Sequence, residues 1–484
     1  MDSTKLLLTL SLLLMLCCGG NHSERITHIQ GEMAGEVTQN SVILQSRLTS
    51  GNPLIDGDVQ GSHGFGCFEI SSASDFRNSI KTEWIEALPE NDFIIKTKVT
   101  ELSSGTRYYY RLLFGVDRSS IQVGNTCTFK TWPEKTVEEE LTFVVVTGMN
   151  YSKFHFGIDS TGEHAYQGSD KNLGFPALAT ILNMQPDFFV GTGDNVYYDS
   201  PKKGRAQTPE ELRKKWHQQF VQPRFIQLFS RVPTYWEKDD HDHRYNDCDT
   251  TGNEQPFSEL GIKTFLEQVP IVDLNEMKPI SYRTHQINRL LQIWLVEGRD
   301  YRSPNNMPDG PEKSIWGKEQ KEWLKKTLLE SNATFKILIS PTPMIGPDDA
   351  YKKDNHTNPK GFRHEGEEFF KWLKANDFLK KNFYIICGDR HWQYHSVNPS
   401  GFAEFSCGAL VDANSRLGRK PGDPKSTDPK AKITQLYTQD EKSGGFLKVT
   451  IKPGDENREA SAVFTFYDEK GKFLYSNMKE AMTN

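Results

Sequence analysis

Phe188-Phe189-Val190-Gly191-Thr192-Gly193-Asp194-Asn195-Val196-Tyr197-Tyr198-Asp199 is the stretch on which the reading of this chain turns. A short apolar run closed by glycines suits a strand buried on both faces, and such strands are the mark of an α/β sheet. The runs Phe143-Val144-Val145-Val146, Ile293-Trp294-Leu295-Val296, Ile337-Leu338-Ile339 and Phe383-Tyr384-Ile385-Ile386 repeat the pattern. Between them, apolar spacing predicts helices over Pro209 to Phe220, Gly317 to Glu330 and Glu365 to Ala375. An α/β (or α+β) unit is therefore expected over 141–475. Two long polar loops, Asn150 to Lys171 and Pro347 to Gly361, have the length that often carries function.

Working outward, residues 26–133 have a different rhythm. Short alternating runs such as Ser41-Val42-Ile43-Leu44-Gln45-Ser46 and Phe93-Ile94-Ile95-Lys96-Thr97-Lys98-Val99 are separated by Gly- and Asn-rich turns. Leu102-Ser103-Ser104-Gly105-Thr106-Arg107-Tyr108-Tyr109-Tyr110-Arg111 looks like the tyrosine-bearing corner of a fibronectin type III sandwich. An all-β, fibronectin type III-like domain is expected here, joined to the larger unit through Trp132-Pro133-Glu134-Lys135 and Glu138-Glu139-Glu140.

A length of 484 residues calls for at least two domains. The net charge of −6, with both signs spread along the chain, gives no dense basic face for nucleic acid. Lys5 followed by the apolar run Leu6 to Leu16 reads as an export signal over 1–20. Cys17 and Cys18 resemble a bacterial lipoprotein site, although Met15 and Leu16 stand where small residues are usual. The expected location is thus exported: periplasmic, tethered to the cell surface through an N-terminal lipid, or secreted. Five further cysteines remain, and Cys67–Cys127 and Cys387–Cys407 are each either a bridge or two buried thiols.

The chemistry-bearing residues follow the apolar runs. Asp239-Asp240-His241-Asp242-His243-Arg244-Tyr245-Asn246-Asp247 follows Val232-Pro233-Thr234-Tyr235-Trp236, and Glu297-Gly298-Arg299-Asp300-Tyr301-Arg302 follows Trp294-Leu295-Val296. Gly388-Asp389-Arg390-His391-Trp392 follows Ile385-Ile386-Cys387. Ligands of open α/β sheets bind beyond the carboxyl ends of the strands, so these clusters should converge on one crevice. Carboxylates crowded together repel unless cations sit among them. Hard cations favour oxygen donors, and imidazole adds affinity for transition metals. Paired metals can activate a hydroxide and clamp the attacking and leaving oxygens of a phosphoester.

These clusters resemble the alkaline phosphatase D family of calcineurin-like metallophosphoesterases. The matching elements are Gly193-Asp194-Asn195-Val196-Tyr197, Asp239-Asp240-His241-Asp242 with Asn246-Asp247, Arg299-Asp300-Tyr301-Arg302, Gly317-Lys318-Glu319-Gln320 with Trp323-Leu324, and Gly388-Asp389-Arg390-His391-Trp392. The resemblance implies a metallophosphoesterase sandwich core behind the N-terminal sandwich. It implies two or more metal ions, Ca2+ and Fe3+, with Asp194 bridging and Tyr197 a phenolate ligand. Asp240, Asp389 and His391 would complete the ligand set, and Glu297 stands where the family often places an aspartate ligand. His241 would donate to the phosphate and Arg299 would hold it. Met149 occupies the place of the family's iron-ligating cysteine, and a neutral thioether is a poor ligand for a hard ferric ion. Asn150 could coordinate through its amide oxygen instead, and calcium, manganese or zinc could replace the iron.

The expected activity is therefore metal-dependent hydrolysis of a phosphomonoester or phosphodiester, by a metal-activated hydroxide attacking phosphorus. The substrate would be a small molecule, a phospholipid or a polymer. Two alternatives compete: a catalytically weakened metal- or phosphate-binding protein on the same scaffold, and a surface adhesin that binds through the N-terminal sandwich. The adhesin reading is to be separated by deleting the residues before Leu141, after which a hydrolase should keep its chemistry.

Overall fold

The computed structural model describes residues 26–51, 54, 57–274 and 276–482; the expected export signal lies outside them. Two large sheets stack face to face, and helices cover their outer faces. At the centre of the first sheet lie three parallel strands, Leu141–Val146, Phe188–Thr192 and Thr234–Glu237. At the centre of the second lie Leu291–Leu295, Phe335–Ser340 and Phe383–Cys387, also parallel. Period-two alternation explains why these strands read as unbroken apolar runs. Phe143 and Val145 point between the sheets with Phe188, Val190, Ile293, Ile337 and Ile386. Val144 and Val146 point outward, into the helices with Leu178, Leu212, Trp216 and Phe265.

The helices Pro209–Phe220 and Gly317–Glu330 have the predicted bounds, and the third runs from Arg363 to Ala375. Pro209–Phe220 starts where it does because Thr208 and Glu211 form a reciprocal cap over a proline-led first turn. Among the described residues, no helix is long and apolar enough to cross a membrane.

In the N-terminal region a six-stranded sheet is built on Gly64–Ser71 and Arg107–Gly115. The tyrosine corner is present: the Ser103 N–H donates to Tyr108 Oη at 2.9 Å. The facing strands Glu32–Gly35, Val42–Arg47 and Ile94–Val99 are the end of the first large sheet, joined where Gly35 pairs in parallel with Thr234. Trp132 belongs to the same core as Phe188, and its indole N–H donates to Tyr235 Oη at 2.9 Å.

All five described cysteines are buried free thiols. Cys67 and Cys127 lie on strands flanking opposite sides of Arg107–Gly115, two strand spacings or about 9.6 Å apart, beyond the reach of a bridge. Cys387 pairs with Ser406, so Cys407 faces the other side of the sheet.

A buried polar lock ties the N-terminal region to the helices of the first sheet. Asp92 takes Arg47 Nη2 at 2.9 Å, His217 Nε2 at 2.6 Å and Gln268 Nε2 at 2.7 Å, and Asp58 takes His217 Nδ1 at 2.6 Å. Burial opposes ionisation of both aspartates, but His217 and Arg47 outweigh it and hold each carboxyl below its ordinary value. A carboxyl lowered on folding contributes stability that is complete above its unfolded value and is lost as pH falls through the folded one. We therefore expect Asp92→Asn to destabilise the protein by about 3 kcal/mol at pH 7. The gap to wild type in denaturant midpoint should narrow as pH drops below 4.

Candidate active site

The crevice forms where the carboxyl ends of the two sets of parallel strands face each other. Phe188–Thr192 runs into Gly193 and Asp194, Thr234–Glu237 into Lys238, Asp239 and Asp240, and Phe383–Cys387 into Gly388 and Asp389. Asp194, Asp389 and His391 all hold positive φ, at 54°, 60° and 55°. Non-glycine residues rarely adopt this conformation, and such strain gathers at functional sites. Gly193 is required at its place: a Cβ there would meet the Asp239 backbone nitrogen at 2.8 Å.

Asp242 fastens the two strand-end loops together. Its oxygens accept the N–H groups of Asp239 at 2.6 Å and Asn195 at 3.0 Å, and the Asn195 side-chain amide at 2.6 Å. Asp194 is thereby held with Oδ2 accepting from Tyr197 Oη at 2.8 Å and 2.9 Å from His391 Nε2. Tyr197 Oη in turn accepts from Asn414 Nδ2 at 2.7 Å, and Asn414 Oδ1 takes Lys153 Nζ at 2.9 Å. Asp194, Asp240 and His241 each offer one donor atom, all within 4.8 Å of one another. Asp240, Asp247 and Asp354 form a second such group, sharing Asp240.

The protonation states differ within this small space. Burial, aided by the carboxylates of Asp240, Asp239 and Asp242, pushes the Asp194 carboxyl well above the usual carboxylate range, although His241 opposes this. Burial works against a charged His241, but Asp199, Asp240 and Asp194 outweigh it and hold its pKa well above the ordinary value. Asp199 Oδ1 lies 2.7 Å from His241 Nδ1. His391 moves the other way: burial, then Arg416 and Lys153, hold it well below its ordinary value and so neutral.

These donors fit bound cations. Asp194 Oδ1 and both Asp354 carboxylate oxygens are buried without a hydrogen-bond partner, Asp354 Oδ2 facing Arg299 Nη2 at 3.6 Å, so each group keeps buried oxygens available to ligate an ion. Neutral imidazole, phenol and carboxylate form an O/N donor set suited to a first-row metal, and the all-carboxylate second group suits a hard cation.

Of the residues expected from the sequence, Asp194, Tyr197, Asp240, His241 and His391 are brought together. Asp389 lies beside the second group, taken up by Arg390 and 3.8 Å from Lys352 Nζ. Three others are engaged by partners within the chain. Glu297 is not at either group: Oε2 takes Lys238 Nζ at 2.6 Å and Oε1 accepts the Arg299 N–H at 2.7 Å. Arg299 is fully buried, its guanidinium 2.5 Å from Asp239, 2.8 Å from the Cys248 carbonyl and 3.6 and 3.9 Å from Asp354 and Asp240 of the second group. The Asn150 amide oxygen accepts the Lys153 N–H at 2.9 Å and caps the helix Tyr151–Phe156. Met149 is buried among Val146, Val196 and Leu410.

Asp354, Lys352, Asp199, Asn414 and Lys153 were not singled out from the sequence. Asp199 closed the quoted stretch that begins at Phe188, and the polar loop after Pro347 was the signal for Asp354 and Lys352.

A family model described as "PhoD-like phosphatase" matches residues 143–459, and one described as "PhoD-like phosphatase, N-terminal domain" matches 20–130. Alkaline phosphatase D of Bacillus subtilis (strain 168) is 21% identical over 402 residues, covering 76% of this chain. The match spans 64% of that relative's length. Among solved structures, that of PhoD superimposes with a TM-score of 0.70 at 16% identity, covering 93% of this chain and 92% of the other. Purple acid phosphatase PPD1 from yellow lupin (Lupinus luteus) seeds gives a TM-score of 0.62 at 13% identity, covering 93% and 74%. At these identities the structural likeness concerns the fold.

Proposed function

Because this chain belongs to the PhoD-like phosphatase family, we propose that it is a metal-dependent phosphoester hydrolase centred on Asp194. The observation that carries the reading is the buried Asp194–Tyr197–His391 contact set sharing Asp240 and His241, with Asp194 Oδ1 left unsatisfied. Asp194, Tyr197 and His391 would hold one ion, and Asp240 with Asp247 and Asp354 another. When bound, the metal supplies Lewis acidity toward the phosphoryl oxygens and makes water more acidic. We assign an ion with oxygen and nitrogen ligands to the Asp194 centre, in place of a thiolate-bound ferric ion, because Met149 offers no charge. Ca2+ is the hard cation proposed for the second group.

The chain's own groups do the rest. His241, kept protonated by Asp199, can pass the proton on Nε2 to the oxygen that leaves phosphorus as water adds. Lys153, whose Nζ donates to the Asn414 side chain that in turn donates to Tyr197 Oη, sets a positive charge near the Asp194 centre that can draw an anionic phosphoester toward it. The substrate class is a phosphomonoester or phosphodiester, including phospholipid and polymer esters. We also propose, from the apolar run Leu6 to Leu16, that this hydrolysis takes place outside the cytoplasm; labelled palmitate incorporation that is lost when Cys17 and Cys18 are both replaced would test the tether.

Purified protein should contain bound metal and cleave bis(p-nitrophenyl) phosphate or p-nitrophenyl phosphate. Exhaustive chelation should lower turnover by about 100-fold or more, and added Mn2+ or Ca2+ should restore it. Undiminished turnover after metal removal contradicts the proposal. Bound metal with no turnover favours the second reading, a metal- or phosphate-binding protein weakened in its chemistry, which Met149 makes the natural alternative.

A further inference from the structure

The second carboxylate group already faces two cations of the chain's own: Arg299 Nη2 lies 3.6 Å from Asp354 Oδ2 and 3.9 Å from Asp240 Oδ2, and Lys352 reaches in from the loop. Lys352 Nζ lies 2.8 Å from Asp247 Oδ1 and 3.8 Å from Asp389 Oδ1, and its side chain is 7% exposed. Lys352 and Asp354 arrive on the same loop, which is pinned from within. Asn358 Oδ1 accepts the N–H groups of Asp354 at 3.2 Å and Asn355 at 3.1 Å, and Asn355 Nδ2 donates to Asp348 Oδ2 at 2.8 Å. The loop therefore delivers a carboxylate and a competing positive charge at a fixed separation. Lys352 does not satisfy the group, since both Asp354 oxygens remain buried without a hydrogen-bond partner.

We propose that Lys352 is a built-in competitor for the second cation: its ammonium weakens a divalent ion's hold on Asp240, Asp247 and Asp354, so this site fills reversibly while the Asp194 centre binds tightly. The inference rests on the metal-dependent reading of the function and deepens it. The two sites then differ in affinity for a stated reason. The Asp194 centre has neutral His391 and no ammonium in contact, whereas the second must displace or tolerate a fixed positive charge. A unit charge a few ångströms from a divalent ion, in a partly buried setting, changes affinity by well over one order of magnitude. Free divalent cation, through this second site, would then set the fraction of fully loaded protein.

The test is calorimetric titration of the full-length, chelator-treated protein with MnCl2 and then CaCl2, for wild type, Lys352→Met, Lys352→Gln and Lys352→Arg. In wild type, Mn2+ should fill the Asp194 centre in a tight step, and the calcium added after it should give a weak step at the second group. Met and Gln should tighten the weak step by at least ~10-fold, while Arg leaves it in place and the tight step does not move in any variant. Thermal melting with and without CaCl2 gives a second readout: Met and Gln should gain more from calcium than wild type does. Gln keeps a polar group beside Asp247 and covers the case in which Met fails to fold. Superimposable isotherms for wild type, Met and Gln overturn the proposal, as does the absence of a calcium step in all of them. If the isotherms coincide while chelation still abolishes turnover, Lys352 alone is refuted. If turnover survives complete metal removal, the functional reading falls whatever the isotherms show.

Discussion

Asp194→Asn should lower phosphodiester turnover by about 10^3-fold or more and strip the metal from the Asp194 centre. The side chain sits at the end of Phe188–Thr192 with φ 54°, a conformation that Asn adopts readily. The substitution therefore keeps backbone, volume and an acceptor for Tyr197, and removes only the charge that a bound cation would draw from this raised carboxyl. That charge is what His391 and Tyr197 cannot replace, since burial and Arg416 keep His391 neutral, while burial and Asp194 raise the Tyr197 phenol well above its ordinary value. kcat/KM with bis(p-nitrophenyl) phosphate, elemental analysis and circular dichroism on the same sample decide the matter. Retained metal with turnover within tenfold of wild type would remove Asp194 from the proposed machinery.

Lys238→Met should destabilise the fold by about 3–5 kcal/mol. Lys238 is fully buried, with Nζ 2.6 Å from Glu297 Oε2 and 2.5 Å from Asp300 Oδ1. Burial opposes its charge, but the two carboxylates outweigh it and raise its pKa above the ordinary lysine value. Removing the ammonium leaves two buried carboxylates facing each other, which costs far more than the pair contributes when intact. Denaturant unfolding measures the effect directly. Glu297→Gln is the informative companion: it should also cost stability, yet leave metal content at the wild-type value, because Glu297 braces the strand end and does not reach either carboxylate group. A large loss of metal in that variant would return Glu297 to the ligand set.

The fold was largely legible because its signals are local. Strands buried on both faces must be apolar throughout, so Phe143-Val144-Val145-Val146 and Ile337-Leu338-Ile339 stand out, and apolar spacing carries the helix Pro209–Phe220. Asp194, Asp240, His241 and His391 were legible for the same reason, since strand ends converge by topology. Lys352 and Asp354 were not, because their places depend on how a long loop folds back across the sheet and no periodicity encodes that. Glu297 misled for a related reason. It stands at a strand end like the others, but the residue that pairs with it, Lys238, lies just past the end of a strand of the other sheet. The merger of the N-terminal strands with the central sheet was equally invisible, resting on the single pairing of Gly35 with Thr234.

That pairing makes the N-terminal sandwich an end-plate of the larger body. A cut at the polar joint before Leu141 would strip the neighbour from Thr234–Glu237, the strand whose tip carries Asp239 and Asp240, and would uncover Tyr235 and Phe188 where Trp132 now shields them. The fragment left behind would carry a raw hydrogen-bonding margin beside a greasy flank, the combination that drives chains to stack on one another. Shortening the protein thus interrogates solubility before it interrogates adhesion, and the two halves are better taken apart by point changes than by scissors.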